Sequence, residues 1–143
     1  MGIKDKLKRV ARFLMRTFLR MRLIHIFPGN PRVLASFSGV HSTGCGRLCV
    51  FASFSRSGRV EDYIFNNLAA LREAGFDIVF VTTSGLLHEA DLQRLKGCCL
   101  RIVHRKNTGY DFGSWKAGIF FAGIDYRAYN QLLLTNDSYY GPL

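Results

Sequence analysis

Residues 48–54 read Leu-Cys-Val-Phe-Ala-Ser-Phe, and this continuous apolar run sets the expected architecture. A run of strand length without alternating polar residues is typical of a strand buried on both faces of a parallel sheet. Over residues 60–74 the apolar side chains recur every three or four positions, and Gly75 follows where a helix would end. This change of period predicts a strand followed by a helix.

The same alternation continues towards the end of the chain. Further strands are predicted at residues 76–82, 100–103 and 131–135, and further helices at residues 88–96 and 113–122. Strands that alternate with helices form parallel sheets covered by helices through right-handed crossovers. The sequence therefore predicts an α/β domain over residues 47–143. Helix breakers and small residues in 27–46 predict a flexible linker before it.

The composition limits the class of protein. Of 143 residues, 48% are hydrophobic and 21% are charged, which fits one globular domain and excludes a disordered tail. This length hardly accommodates separate donor and acceptor domains. The apolar runs fall far short of the roughly 18 residues that cross a bilayer, and the N-terminus lacks the apolar centre of a signal peptide. We therefore expect a cytosolic protein.

The net charge of +10 is concentrated near the N-terminus. Residues 1–35 contain nine Lys or Arg and one acid, Asp5, whereas residues 36–143 contain 11 basic and nine acidic residues. A basic chain raises nucleic acid as a partner, but the body has no Lys/Arg run interleaved with aromatic residues. We therefore expect no nucleic-acid partner.

Residues 1–26 predict a basic amphipathic helix, in which the apolar residues share one face. The opposite face holds Arg9, Arg12, Arg16 and Arg20. Such a helix suits the headgroup layer of an anionic membrane. Two alternatives stay open, namely a helix packed on its own domain with a solvated basic face, and a mitochondrial transit peptide.

The four cysteines are Cys45, Cys49, Cys98 and Cys99. Their spacing allows a zinc site, but structural zinc sites favour two short-spaced pairs at loop knuckles. Cys49 lies in the apolar run, where a free thiol behaves as a small hydrophobic side chain. We therefore favour reduced, mostly structural cysteines.

Polar residues cluster directly after each predicted strand, and ligands of parallel α/β sheets bind beyond these strand ends. The four clusters, at residues 53–58, 82–85, 104–111 and 136–142, can all line one rim. Arg56 can contact a phosphate or be solvated, and Asp111 can hold a sugar hydroxyl or act as a helix N-cap. Tyr110 and Trp115 can stack on a base or sugar, although an aromatic residue on an amphipathic helix is more often part of the core.

Asp137 is the strongest single candidate, because it follows the apolar residues 132–134 at the predicted end of a strand. With Asn136 and Ser138 beside it, its carboxylate can hold a hard divalent cation that neutralises a diphosphate leaving group. The alternative is an Asx-turn that closes the strand.

At these residues the chain resembles the rhamnan synthesis F family, glycosyltransferase-like proteins of bacterial cell-wall and lipopolysaccharide O-chain polysaccharide assembly. The matching stretches are residues 48–54, 60–63, 107–118 and 132–142. The resemblance covers about residues 47–143. It implies a nucleotide-diphospho-sugar transferase fold of the glycosyltransferase A-like type, of which this chain holds the N-terminal, donor-binding half.

The resemblance also implies an activity, namely transfer of a sugar, often rhamnose from its deoxythymidine-diphosphate donor, to a lipid-linked glycan at the inner face of the plasma membrane. Asn136 and Asp137 match the family's Asp-x-Asp-like motif for Mg²⁺ or Mn²⁺, although only one of them is a carboxylate. The implied donor-binding residues are Phe54, Arg56, Asn107, Gly109, Tyr110, Asp111 and Lys116.

In the implied mechanism, Lys116 or Arg105 stabilises the departing diphosphate while a carboxylate base deprotonates the acceptor hydroxyl. We expect that base downstream of residue 143. The alternative is a non-catalytic membrane-surface protein that retains a nucleotide-binding half-domain.

Overall fold

The computed structural model describes residues 31–138, and within them five strands alternate with three α-helices. The strands are β1 (Val33–Ser38), β2 (Arg47–Ser53), β3 (Phe76–Thr82), β4 (Arg101–Arg105) and β5 (Gln131–Asn136). The helices are α1 (Asp62–Glu73), α2 (Glu89–Lys96) and α3 (Tyr110–Phe120), and a 3-10 turn at Tyr126–Ala128 precedes β5. The predicted helix at 1–26, the start of the predicted linker at 27–30, the end of the matching stretch at 139–142 and residue 143 lie outside the described residues.

The five strands form one mixed sheet in the order β1-β4-β3-β2-β5. Strands β2 to β5 are parallel, whereas β1 runs antiparallel to β4. The predicted α/β class is therefore confirmed, and the expectation of an entirely parallel sheet is wrong at one edge.

Strand β1 lies inside the segment predicted as a linker. Its six residues alternate between half-buried and exposed, which is the period-two pattern of an edge strand with one covered face. The Gly, Pro and Ser residues on both sides of 33–38 favoured the linker interpretation. The prediction that the folded domain starts near Arg47 is therefore wrong, because β1 contributes backbone hydrogen bonds to the sheet.

The helices cover both faces of the sheet. Residues of α1 and α2 pack on the face that contains Cys49 and Phe51, and residues of α3 pack on the face that contains Leu48 and Val50. A Cβ atom added at Gly118 would lie 2.3 Å from Val50 Cγ1, so the backbone of α3 lies directly against β2. β2 and β3 are buried along almost their whole length, as the continuous apolar runs predicted.

Asp77 anchors the segment before β2 at the opposite end of the sheet from the predicted rim. Its carboxylate accepts hydrogen bonds from Ser42 Oγ, from Thr43 N at 2.7 Å and from Tyr129 Oη at 2.9 Å, and it pairs with Arg72 Nη1 at 3.1 Å. Residues 38–46, expected to be flexible, are thus tied to the start of β3. A cavity of about 330 Å³ lies at this same end, between Ser42, Gly46, Ile124 and Tyr129 among others.

These contacts predict an acid-dependent loss of stability. Burial acts to raise the pKa of Asp77, but the hydrogen bonds from Ser42, Thr43 and Tyr129 outweigh it and hold the pKa below its ordinary value. A lowered folded-state pKa stabilises the fold above the unfolded-state pKa, near 3.9, and this contribution is lost as the pH falls through the folded-state pKa. We expect Asp77→Asn to lower the free energy of unfolding at pH 7, with a difference from wild type that shrinks below about pH 4. Urea titrations over this pH range check it, and a pH-independent difference would contradict it.

The cysteines are free thiols in the structure. Cys49 and Cys99 are buried, and burial raises the pKa of Cys49 to about 12. Across residues 31–138 no group of three or more His, Cys, Asp or Glu side chains could hold a metal ion. The structural interpretation of these two cysteines therefore agrees with their positions in the core.

Candidate functional site

The strand order creates a topological switch point between β2 and β5. From β2 the chain adds β3 and then β4 on one side, and it then crosses to place β5 on the other side of β2. In open α/β sheets ligands bind in the crevice outside the carboxyl ends of the strands at such a point. The candidate site therefore lies between the ends of β2 and β5.

Asp137 joins these two strand ends. Its Oδ2 accepts hydrogen bonds from Ser53 Oγ and Phe54 N, both at 2.9 Å, and its own N donates to Ala52 O at 3.1 Å. Tyr63 Oη, from the start of α1, donates to Asp137 O at 3.1 Å. The carboxylate therefore has a fixed orientation at the rim of the crevice.

Asn136 connects β5 to α3. Its Nδ2 donates to Asp111 Oδ2 at 2.8 Å, and its Oδ1 accepts from Ser138 N at 3.2 Å. The second bond forms an Asx-turn. An Asx-turn was the alternative predicted for Asp137, and it forms instead at Asn136. Both polar atoms of the Asn136 side chain are thus engaged with protein groups.

Asn136 and Asp137 form their side-chain bonds on opposite faces of the sheet. Side chains alternate between faces along a strand, so Ser53 shares the α1 face with Phe51, whereas Asp111 belongs to α3 on the other face. The two residues proposed together as metal ligands therefore do not converge as a chelating pair.

Asp137 alone fits a divalent cation that arrives with a diphosphate. Its Oδ1 accepts no hydrogen bond within residues 31–138, since both bonds to the carboxylate go to Oδ2. Magnesium is commonly held by one or two carboxylates together with substrate phosphates. Asn136 fits less well, because its Oδ1 already closes the Asx-turn.

The other strand ends complete the rim that was predicted from the sequence. Ser84 Oγ, after β3, accepts from Ser55 N at 2.9 Å, and Ser84 O lies 2.7 Å from His104 Nε2 of β4. These bonds join the ends of β2, β3 and β4 side by side. The prediction that the clusters share one edge of the sheet is therefore confirmed.

Helix α3 begins earlier than the sequence predicted, at Tyr110 instead of Gly113. Gly109 is the N-cap with a φ of 78°, a left-handed conformation that glycine adopts without strain. Tyr110 follows with a φ of 48°, which is uncommon for a bulky residue. The N-cap interpretation of Asp111 is wrong, because Asp111 lies within the first turn and its carboxylate accepts from Asn136.

Arg105 does not face the rim, contrary to the role implied by the family resemblance. Only 1% of the residue is exposed. Its Nε donates to Pro31 O at 3.0 Å, its Nη1 to Ser114 Oγ at 3.1 Å, and its Nη2 to Thr108 O and Oγ1. Burial lowers the pKa of this guanidinium. Arg105 therefore holds together the chain before β1, the β4–α3 loop and α3.

The remaining predicted residues have fewer contacts. Arg56 and Asn107 are exposed and Lys116 is half-buried, and none of the three forms a side-chain hydrogen bond or ion pair within the described part of the chain. Tyr110 is 82% exposed. Trp115 packs in the α3 core and its Nε1 donates to Thr135 O at 2.8 Å, so the core interpretation of Trp115 is confirmed.

Ser53 and Tyr63 were not predicted as site residues. Ser53 is the one polar residue among the six buried positions of β2, and its place at the end of the strand was an available signal. Tyr63 lies in the matching stretch 60–63, but it was given no role because it has the spacing of an ordinary core residue on α1.

The segment that contains Asp111, Asn136 and Asp137 has a recognisable family. Residues 78–143 match the family model of rhamnan synthesis protein F. The resemblance predicted from the sequence is therefore confirmed over this segment. The rhamnan synthesis segment supplies α3, β5 and the acidic side of the crevice, whereas β2 and α1 precede it.

Curated relatives are similar over a longer part of the chain. Virulence protein VirA of Vibrio anguillarum is 29% identical over 99 residues, which cover 67% of this chain and 32% of that protein. The uncharacterized protein y4gN of Sinorhizobium fredii is 35% identical over 80 residues, which cover 56% of this chain and 21% of that protein. The chain thus spans about a third or less of these relatives. No solved structure gives a significant match.

Proposed function

We propose that this chain is the donor-binding part of a glycosyltransferase that acts in bacterial cell-surface polysaccharide synthesis. The observation that carries the proposal is the hydrogen-bonded carboxylate of Asp137 at the switch point of a segment from the rhamnan synthesis family. The proposed donor is a nucleotide-diphospho-sugar, and the proposed sugar is rhamnose. The proposed fold is the glycosyltransferase A-like type, which the doubly wound strand order supports.

The residues around the crevice suit the parts of such a donor. Exposed Arg56 follows β2 and half-buried Lys116 lies on α3, and neither forms an ion pair within residues 31–138, so both can approach a diphosphate. Asp111 can accept a hydroxyl of the sugar or ribose through Oδ1, while Oδ2 is held by Asn136. Exposed rings at Phe54 and Tyr110 can stack on the base or sugar.

The loop before α3 adds backbone donors. Asn107 and Gly109 are exposed there, and no side chain caps the first turn of α3. The free N–H groups of a helix N-terminus favour anions. In this proposal the loop therefore faces the phosphates of the donor.

A bound Mg²⁺ or Mn²⁺ would neutralise the charge that develops on the diphosphate as it leaves. Asp137 is the residue that would hold it, through Oδ1. The base that deprotonates the acceptor hydroxyl is proposed to come from outside this chain. The proposed acceptor is a lipid-linked glycan, and the proposed location is the cytoplasmic face of the plasma membrane, where the chain binds peripherally. No helix within residues 31–138 is long and apolar enough to span a membrane.

The proposal is tested by thermal denaturation of the full chain with deoxythymidine diphosphate or uridine diphosphate, each with and without Mn²⁺. A ligand at ten times its Kd stabilises the folded state by about 1.4 kcal/mol, which raises the Tm by roughly 5 °C for a domain of this size. We expect such a rise only when nucleotide and cation are both present. The absence of any rise at millimolar nucleotide would contradict the proposal.

A transfer assay separates this function from a binding module. The assay combines the longest available form of the protein with a nucleotide-sugar donor and membranes that contain polyprenyl-linked glycan. Nucleotide binding without sugar transfer by that form would favour a non-catalytic half-domain.

A further inference from the structure

Two aromatic side chains on the first turn of α3 are almost fully exposed. Tyr110 is 82% exposed and Phe112 is 79% exposed. A Phe ring is usually buried, and adjacent exposed aromatic residues mark contact surfaces. Of these two aromatic residues, only Tyr110 belongs to the proposed donor site, and Phe112 has no role there.

Basic residues lie in the loop that leads into this turn, where Lys106 precedes Tyr110 by four residues. Lys106 N donates to Arg32 O at 3.1 Å, which places two exposed cationic residues side by side at the start of the β4–α3 loop. The acidic residue of this stretch, Asp111, is half-buried and bonded to Asn136. The β4–α3 loop and the first turn of α3 therefore carry exposed basic and aromatic side chains.

The N-terminal segment joins the fold beside the start of the β4–α3 loop. Residues 1–30 contain eight Lys or Arg against Asp5 alone. The described chain begins at Pro31, whose O accepts from Arg105 Nε at 3.0 Å, next to the β4–α3 loop. A surface that binds the predicted helix at residues 1–26 is therefore connected to Arg32 through residues 27–31 alone.

We propose that the surface formed by Arg32, Lys106, Tyr110 and Phe112, here called the aromatic rim, contacts an anionic membrane. Aromatic residues at membrane interfaces place their rings at the level of the headgroups, and nearby Lys and Arg bind the lipid phosphates. A basic surface with exposed rings is complementary to an anionic leaflet. The inference rests on the proposed membrane association and not on sugar transfer. Membrane contact through the aromatic rim orients the crevice at Asp137 towards the leaflet.

Trp115 provides a direct test, because its ring lies 5.2 Å from the Phe112 ring and it is the single Trp of the chain. The full chain is mixed with vesicles of phosphatidylcholine and about 30% phosphatidylglycerol, which supply the anionic surface, with or without bromine on the upper acyl carbons. We expect brominated lipid to quench Trp115. Binding through residues 1–30 alone would leave Trp115 fluorescence unquenched.

Substitutions complete the test by vesicle co-sedimentation. Phe112→Ser is expected to lower vesicle binding roughly tenfold, as burial of one Phe side chain predicts. Lys106→Glu should weaken binding more at low salt than at high salt. The matched control is Phe120→Ser, since Phe120 is 59% exposed at the other end of α3 and should bind like wild type.

Each contrary outcome overturns a defined part of the proposal. If wild type does not sediment with these vesicles, both the membrane association and the aromatic rim fail. If it binds without Trp115 quenching, or if Phe112→Ser and Phe120→Ser behave alike, the aromatic rim fails and membrane association stands. If Phe112→Ser instead dissociates a dimer seen by ultracentrifugation without vesicles, the surface joins two copies of the chain.

Discussion

Asp137→Asn is expected to weaken cation-dependent binding of a nucleoside diphosphate by about ten- to a hundredfold. The substitution removes the negative charge, but the remaining side-chain oxygen can still accept from Ser53 Oγ and Phe54 N. The Tm without ligand should therefore change little. Isothermal titration with deoxythymidine diphosphate, in Mn²⁺ and in EDTA, measures the effect.

Two further variants isolate the carboxylate of Asp137. Asp137→Ala should lose both cation-dependent binding and stability, because the donors at Ser53 and Phe54 are then left without their acceptor. Asp62→Asn is the charge-matched control, since the Asp62 side chain is 86% exposed and pairs with Arg94 Nη2 of α2 at 2.9 Å. Equal nucleotide affinity for wild type and Asp137→Asn in Mn²⁺ would exclude Asp137 as the cation ligand.

The sequence predicted the parallel strands well, because each of them has a local signature. β2 and β3 are buried on both faces, so every residue after the first of each strand is selected for burial and the run stands out. β5 was also found, although Leu132 and Leu134 are 47% and 40% exposed in the structure. Short β1 was missed because only alternate residues are covered, and flanking glycines and prolines suggested a linker.

The candidate site was predicted in part. The polar clusters after each strand correctly indicated a shared rim, because the direction of parallel strands fixes which ends meet. Strand order is not encoded locally, so the sequence did not indicate that β2 and β5 are neighbours or that Ser53 and Phe54 hold Asp137. The sequence likewise did not indicate that the side chains of Asn136 and Asp137 lie on opposite faces of the sheet, because this depends on where β5 ends.

Arg105 shows why a charge in a loop motif is a weak guide to function. It follows a strand in the sequence, as a phosphate-binding cation would, yet it is the last residue of β4 and is buried. Its guanidinium satisfies backbone carbonyls at Pro31 and Thr108 that no neighbouring strand or helix reaches. Burial is a property of the packed fold, and residue type alone does not reveal it.

Arg105→Met is accordingly expected to lower the free energy of unfolding by about 2–4 kcal/mol, because buried acceptors at Pro31, Thr108 and Ser114 lose their donor. Relief of the cost of burying a cation offsets part of this loss. Arg105→Lys should also destabilise, since one ammonium cannot reproduce the fork of donors that spans three partners. Urea unfolding at pH 7 measures both variants.

The control for Arg105 is Arg47→Met. Arg47 also donates to a backbone carbonyl, from Nη1 to Ala74 O at 2.8 Å, but it is exposed, so water can replace the bond and the change should stay within about 0.5 kcal/mol. If Arg105→Met were as stable as Arg47→Met, Arg105 would not be needed to hold the β4–α3 loop. If it is less stable, the loop that leads through Gly109 into Tyr110 and Asp111 is held by a buried cation behind it, and these proposed donor-binding residues owe their positions to that contact.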